Sequence, residues 1–167
     1  MDDDVTYLIA EEKWANLIGR FMLDFASIED IVHRVIIQYL KETLITEQQL
    51  NDTFKSRLDL FHQILIKRFS EGLDKSELNN AINKIHDLYP TRNLIAHNSL
   101  SYTFGEDQNG DFQFRGFEIT AKKKSTIFTT YEQLEGKVQS LKECRTQIAS
   151  FMMKFHEAEL ELGLNKE

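Results

Sequence analysis

One proline in 167 residues, with only seven glycines, leaves the chain few places to break. Such a sequence favours long, uninterrupted helices. The apolar residues agree. From about residue 7 to 42, Trp14, Leu17, Ile18, Phe21, Phe25, Ile28, Val32, Val35, Ile36 and Tyr39 recur at spacings of three and four. That is the pattern of an amphipathic helix with one face in a core.

Further helices follow by the same reading. Thr46-Glu47-Gln48-Gln49 has the form of a capping box and opens a helix through Leu50, Phe54, Leu58, Phe61, Leu65 and Phe69, closed by Gly72. Asp74 with Glu77 opens a third, carrying Leu78, Ala81, Ile82, Ile85 and Leu88. Pro90 removes the bond to the carbonyl of His86, so a kink or a restart is expected there. Helical spacing resumes through Leu94 and Ile95.

The period then changes to two. Tyr102 and Phe104 alternate, as do Phe112 and Phe114, around the hairpin-turn dipeptide Asn109-Gly110. Phe117 and Ile119 extend the second strand, and residues 126–128 offer a third beyond Lys122-Lys123-Lys124. A final long helix begins with Thr129 and Glu132 or Thr130 and Gln133 as its cap, with Leu134, Val138, Leu141, Ile148, Met152 and Phe155 as its stripe. The expected fold is mainly α. It is an antiparallel four- to five-helix bundle with a small β-hairpin inserted before the last helix, at about residues 101–129 of a single domain spanning 1–167.

Composition narrows the function. Charged residues make up 28%, and no apolar run approaches the roughly 18 residues of a membrane span. The start, Met1-Asp2-Asp3-Asp4, is unlike a basic signal peptide. A lone cysteine, Cys144, allows neither an intrachain disulfide nor a cysteine-based zinc site. A cytoplasmic protein with no membrane partner is expected. The net charge of −7 argues against binding duplex nucleic acid by bulk phosphate neutralisation, so any nucleic-acid contact is local. Metal-binding His-Glu-x-x-His, nucleophile-elbow, phosphate-loop and dinucleotide-binding motifs are all missing from the sequence. No metal or cofactor is expected.

What remains is Arg92-Asn93-Leu94-Ile95-Ala96-His97. On a helix each residue turns by about 100°. Asn93 and His97 therefore share a face, while Arg92 diverges from His97 by about 140° and continues the row of Ile85, Leu88, Ile95 and Ala96. A charge on an apolar row needs a partner. Glu29, in the row Phe25, Glu29, Val32, Ile36, is the partner expected for Arg92. The alternative is that Glu29 points into water.

Arg92-Asn93 followed by His97 after a four-residue gap, late in a bundle helix and preceded by a glutamate-bearing long helix, resembles the HEPN superfamily. The flanking Leu94-Ile95-Ala96-His97-Asn98 is also typical of that family. The motif covers about six residues, and the architecture covers most of the chain. The resemblance implies a metal-independent endoribonuclease of a toxin–antitoxin or antiviral-defence system. It implies a homodimer whose two motifs meet in one cleft, with RNA as substrate and an antitoxin or other defence protein as a possible partner. Arg92, Asn93 and His97 would be the catalytic set, with Glu29 in support. His86 lies near the same face as Asn93 and is a lesser candidate for the cleft. Lys122, Lys123 and Lys124 are candidates for RNA phosphate contact, with Arg115 and the hairpin aromatics nearby; otherwise they form a solvated turn. His33, His62 and His156 read as surface residues. The competing readings are a non-catalytic HEPN-like module that binds a protein, nucleotide or RNA, and a helical dimerisation domain whose motif is only structural.

Overall fold

Among the described residues the apolar rows of the sequence become five helices, and the alternating stretch becomes a sheet, in the order α1 (Asp2–Tyr39), α2 (Glu47–Leu50), α3 (Phe54–Arg68), α4 (Ser76–His97), β1 (Leu100–Glu106), β2 (Phe112–Ala121), β3 (Lys124–Thr129) and α5 (Tyr131–Glu161). The structure is a computed structural model. It describes residues 2–39, 47–68, 74–106, 108–110, 112–121 and 124–161, with side chains for 10–39, 49–68, 74–106, 108–110, 116–121, 129–158 and 160. The protein is mainly α, a helical bundle with its β insertion before the last helix, as expected. Its contacts group into two compact units. The first comprises residues 1–23 and 88–139, and the second residues 24–87 and 140–167.

Among the described residues, the second unit holds the larger share of the buried apolar ones. Phe25, Ile28, Val32 and Ile36 of α1, Phe54, Leu58, Phe61 and Leu65 of α3, Leu78, Ile82 and Ile85 of α4, and Leu141, Ile148, Phe151 and Phe155 of α5 are all buried. Phe25 meets Phe54 edge-on at 5.1 Å, and Tyr39 meets Phe155 in the same manner at 6.0 Å. Arg145 donates to Asp24, and His62 bonds Asn79 at 2.6 Å. The expected second helix is divided. Its first turn is α2, and α3 starts afresh at Phe54. Asp52 Oδ1 accepts the Thr53 N–H at 2.7 Å, and Thr53 Oγ1 accepts the Ser56 N–H at 3.3 Å. Such short polar side chains compete with the helix for backbone donors and cap a new one instead. Thr46, Phe69 and Gly72 lie outside the described residues.

The first unit contains the sheet. Its order is β1-β2-β3, with both pairings antiparallel. The Asn109-Gly110 turn is present, with Gly110 at φ 85°. A register slip between Thr103 and Phe104 makes Arg115 the extra residue of β2, next to Gly116 at φ 146°. Positive φ there suits glycine and lets the strand bulge. Of the two possible caps for α5, Thr130 and Gln133 form the reciprocal one. Thr130 Oγ1 accepts the Gln133 N–H at 3.4 Å, and Gln133 Oε1 accepts the Thr130 N–H at 3.1 Å. Thr129 is instead the last strand residue, fully buried and paired with Ile119.

α4 does not restart at Pro90; it is one helix from Ser76 to His97 with the proline inside. An interior proline costs about 3 kcal/mol. Ile85 and Leu88 before it and Leu94 and Ile95 after it are all buried, which outweighs that cost.

Candidate functional site

The last two turns of α4 carry Arg92, Asn93 and His97, all within the first unit. Arg92 and Asn93 are half-buried, and His97, the last helical residue, is exposed. Arg92 Nη1 donates to Asn93 Oδ1 at 3.4 Å, the long end of a hydrogen bond. Asn93 and His97, four residues apart, are neighbours on the helix surface. Asn98 Nδ2 closes the helix by donating to the Leu94 carbonyl at 2.7 Å. That bond satisfies one of the carbonyls a helix end leaves open. It also ties the backbone just beyond the His97 imidazole.

The inward position of this helix segment belongs to Thr91, which is 5% exposed, while Arg92 flanks it and Ala96 is exposed. Thr91 Oγ1 accepts a hydrogen bond from Lys137 Nζ of α5 at 2.8 Å. Burial pushes the Lys137 ammonium below the ordinary lysine range, because charge is costly away from water. Lys137 and Thr91 were missed by the sequence reading. A signal existed: Lys137 borders the stripe of Leu134, Val138 and Leu141, as Arg92 borders its own row.

The other candidates are distributed as follows. Glu29 is half-buried in α1, in the second unit, between the buried Phe25 and Val32 of its row. His86 bonds Asp59 Oδ1 at 2.8 Å in the second unit. Lys122 and Lys123 lie outside the described residues, as does the side chain of Arg115. Lys124, of which only the backbone is described, is in β3 opposite Ala121 rather than in the turn.

Two histidines differ from the surface role expected of them. His33 is half-buried, with Nδ1 enclosed and without a hydrogen-bond partner, and His62 is half-buried against Asn79. Both sit at the edge of a buried helical row, where neighbouring charges in the sequence suggested water. His156 is exposed. Cys144 is fully buried, and burial raises its thiol pKa, so it is an inert core residue.

Among the described residues no three His, Cys, Asp or Glu side chains converge as a metal-binding group. No described helix is long and apolar enough to cross a membrane. The arrangement at the end of α4 therefore offers an exposed imidazole, an amide one turn before it and a guanidinium bonded to that amide. Such a set can exchange a proton and hold an anion. No family model, no curated protein and no solved structure matches the chain.

Proposed function

We propose that the chain is a HEPN-like, metal-independent endoribonuclease of a toxin or antiviral-defence system, acting as a homodimer in which two copies of the α4 motif share one cleft. The observation that carries the reading is the end of α4. There His97 is exposed, Asn93 precedes it by one turn, and Arg92 donates to Asn93.

The chemistry needs two proton transfers. A base removes the proton of an RNA 2′-hydroxyl. The 2′-oxygen attacks the adjacent phosphorus, and the bond from phosphorus to the 5′-oxygen breaks. An acid protonates that leaving oxygen. The products are a 2′,3′-cyclic phosphate and a 5′-hydroxyl. Two His97 side chains, one from each copy, supply base and acid. Arg92 stabilises the negative charge gathering on the phosphoryl oxygens. Asn93 holds Arg92 in place and orients the imidazole or a phosphate oxygen.

The test is incubation of RNA with the full chain in EDTA, comparing wild type with His97→Ala. Wild type should release 2′,3′-cyclic phosphate ends, and the variant should lose about 100-fold or more of that rate, the usual contribution of a general acid or base. Equal cleavage by both chains, or by neither, overturns the assignment. RNA bound but left intact by wild type points to a non-catalytic module.

A further inference from the structure

A second feature of the first unit is an open cleft of about 450 Å³, between α1, the bulged part of the sheet and the start of α5. That volume lies in the range of small-molecule sites. Buried Trp14 gives it an apolar floor, and residues 116–118 of β2 line one side. Tyr131, half-buried, forms a wall and meets Trp14 edge-on at 5.5 Å and 82°. Gly116 leaves its part of the wall open, since a side-chain carbon there would touch only Thr103 Oγ1, at 4.0 Å.

Polar groups line the same cleft. Glu118 is half-buried, and its Oε1 accepts the Thr120 hydroxyl at 2.8 Å. That bond holds the carboxylate in one orientation, and Oε1 keeps a second lone pair beside those of Oε2, so both oxygens can still accept from a ligand. Lys13 and Glu132 are exposed at the rim. An aromatic wall, an oriented carboxylate and a cation at the mouth ask for a flat ring with paired N–H donors and an attached anion. Glu118 and Glu132 disfavour a bare anion, and Lys13 is the cation in the lining that can meet a phosphate attached to the ring. Guanine is the RNA base that offers two adjacent donors, N1–H and the N2 amino group, to one carboxylate. Adenine, cytosine and uracil lack that pair.

We propose that this cleft binds a guanine nucleotide, the base stacked on Tyr131 and hydrogen-bonded to Glu118, the phosphate towards Lys13. Stacking on an aromatic side chain and hydrogen bonding along the base edge are how unpaired bases are held. As a determinant of which RNA is taken, the cleft rests on the ribonuclease reading. As a binding site it stands without it.

The chain carries its own reporter, because Trp14 is its single tryptophan. GMP, AMP, CMP, UMP and guanosine are titrated into the full chain while its fluorescence is followed, with calorimetry alongside. GMP should give a saturable change with a Kd about tenfold or more below those of the other three nucleotides. Glu118→Gln should abolish that preference, and Lys13→Ala should bring GMP binding down to that of guanosine. Both positions are solvent-accessible, and circular dichroism checks that the variants stay folded. An RNA pentamer with one G, set against one with none, tells a free nucleotide from RNA as the source. Preference for the G-containing pentamer assigns the cleft to RNA, and binding of GMP without it assigns the cleft to a free nucleotide. Equal response to all four nucleotides, no response, or a GMP preference that survives Glu118→Gln overturns the proposal. His97→Ala should bind GMP like wild type. Guanine binding without cleavage therefore defeats only the ribonuclease reading, and cleavage without guanine binding defeats only the cleft.

Discussion

Lys137 borders the apolar stripe of α5 and reaches Thr91, the residue before Arg92. Removing the acceptor leaves a partly buried ammonium short of a hydrogen bond. Thr91→Val is expected to cost about 1–3 kcal/mol, read as a lower urea midpoint. The pH dependence has a definite sign. The folded pKa of Lys137 is lowered, so over the alkaline range just below the ordinary lysine value the unfolded chain binds more protons than the folded one. Stability from this group therefore rises as pH climbs through that window and is level above it. Lys137→Met removes the effect. Wild type should gain on the variant as pH climbs through that window, and parallel curves would show that Lys137 is not desolvated. Asp74 acts with the same sign in the acid range. Its carboxylate is held below the usual range by the Ser76 N–H and hydroxyl, so its small contribution fades as pH falls. At this scale the sequence was legible where a residue type dictates its own neighbour, as with Thr130 and Gln133 capping α5. It was not legible for His86, whose partner Asp59 lies 27 residues away.

Helices were read well from spacing and poorly from breaks. The row from Trp14 to Tyr39 became one helix, and every one of its members but Ile18 is buried. Asp52 and Thr53 stopped a helix that the apolar row alone would have carried through, because their side chains capture backbone donors. Pro90 did the reverse, since the restart, one of the two outcomes expected from its chemistry, was overridden by packing on both sides. The cost remains stored in the helix. Pro90 is exposed, so Pro90→Ala restores the bond to the His86 carbonyl without disturbing the core. The variant should gain about 1–3 kcal/mol, measured by urea unfolding followed by circular dichroism. A midpoint at or below that of wild type would mean the backbone already accommodates the missing bond. In the sheet, the dipeptide Asn109-Gly110 located the turn, whereas the bulge at Gly116 had no comparable signature.

For the whole molecule, the proposed site requires two copies of one chain. An excess of His97→Ala chain should then draw wild-type chains into mixed dimers and lower the activity per wild-type chain. Sedimentation should give twice the 19.6 kDa of one chain. Activity that scales only with the amount of wild type, from a particle of single-chain mass, would exclude a composite site. The sequence by itself determined the elements and the signature. Helical period, strand alternation, the turn dipeptide and the Arg92-Asn93-His97 spacing are properties of neighbouring residues, and neighbours are enough to express them. Tertiary structure alone decided what meets across the chain. It set Lys137 against Thr91, Thr91 rather than Arg92 on the inward side of α4, and α1, the sheet and α5 around a cleft floored by the single tryptophan. Those pairings depend on how distant segments pack, and periodicity carries no record of which segment a given face will meet.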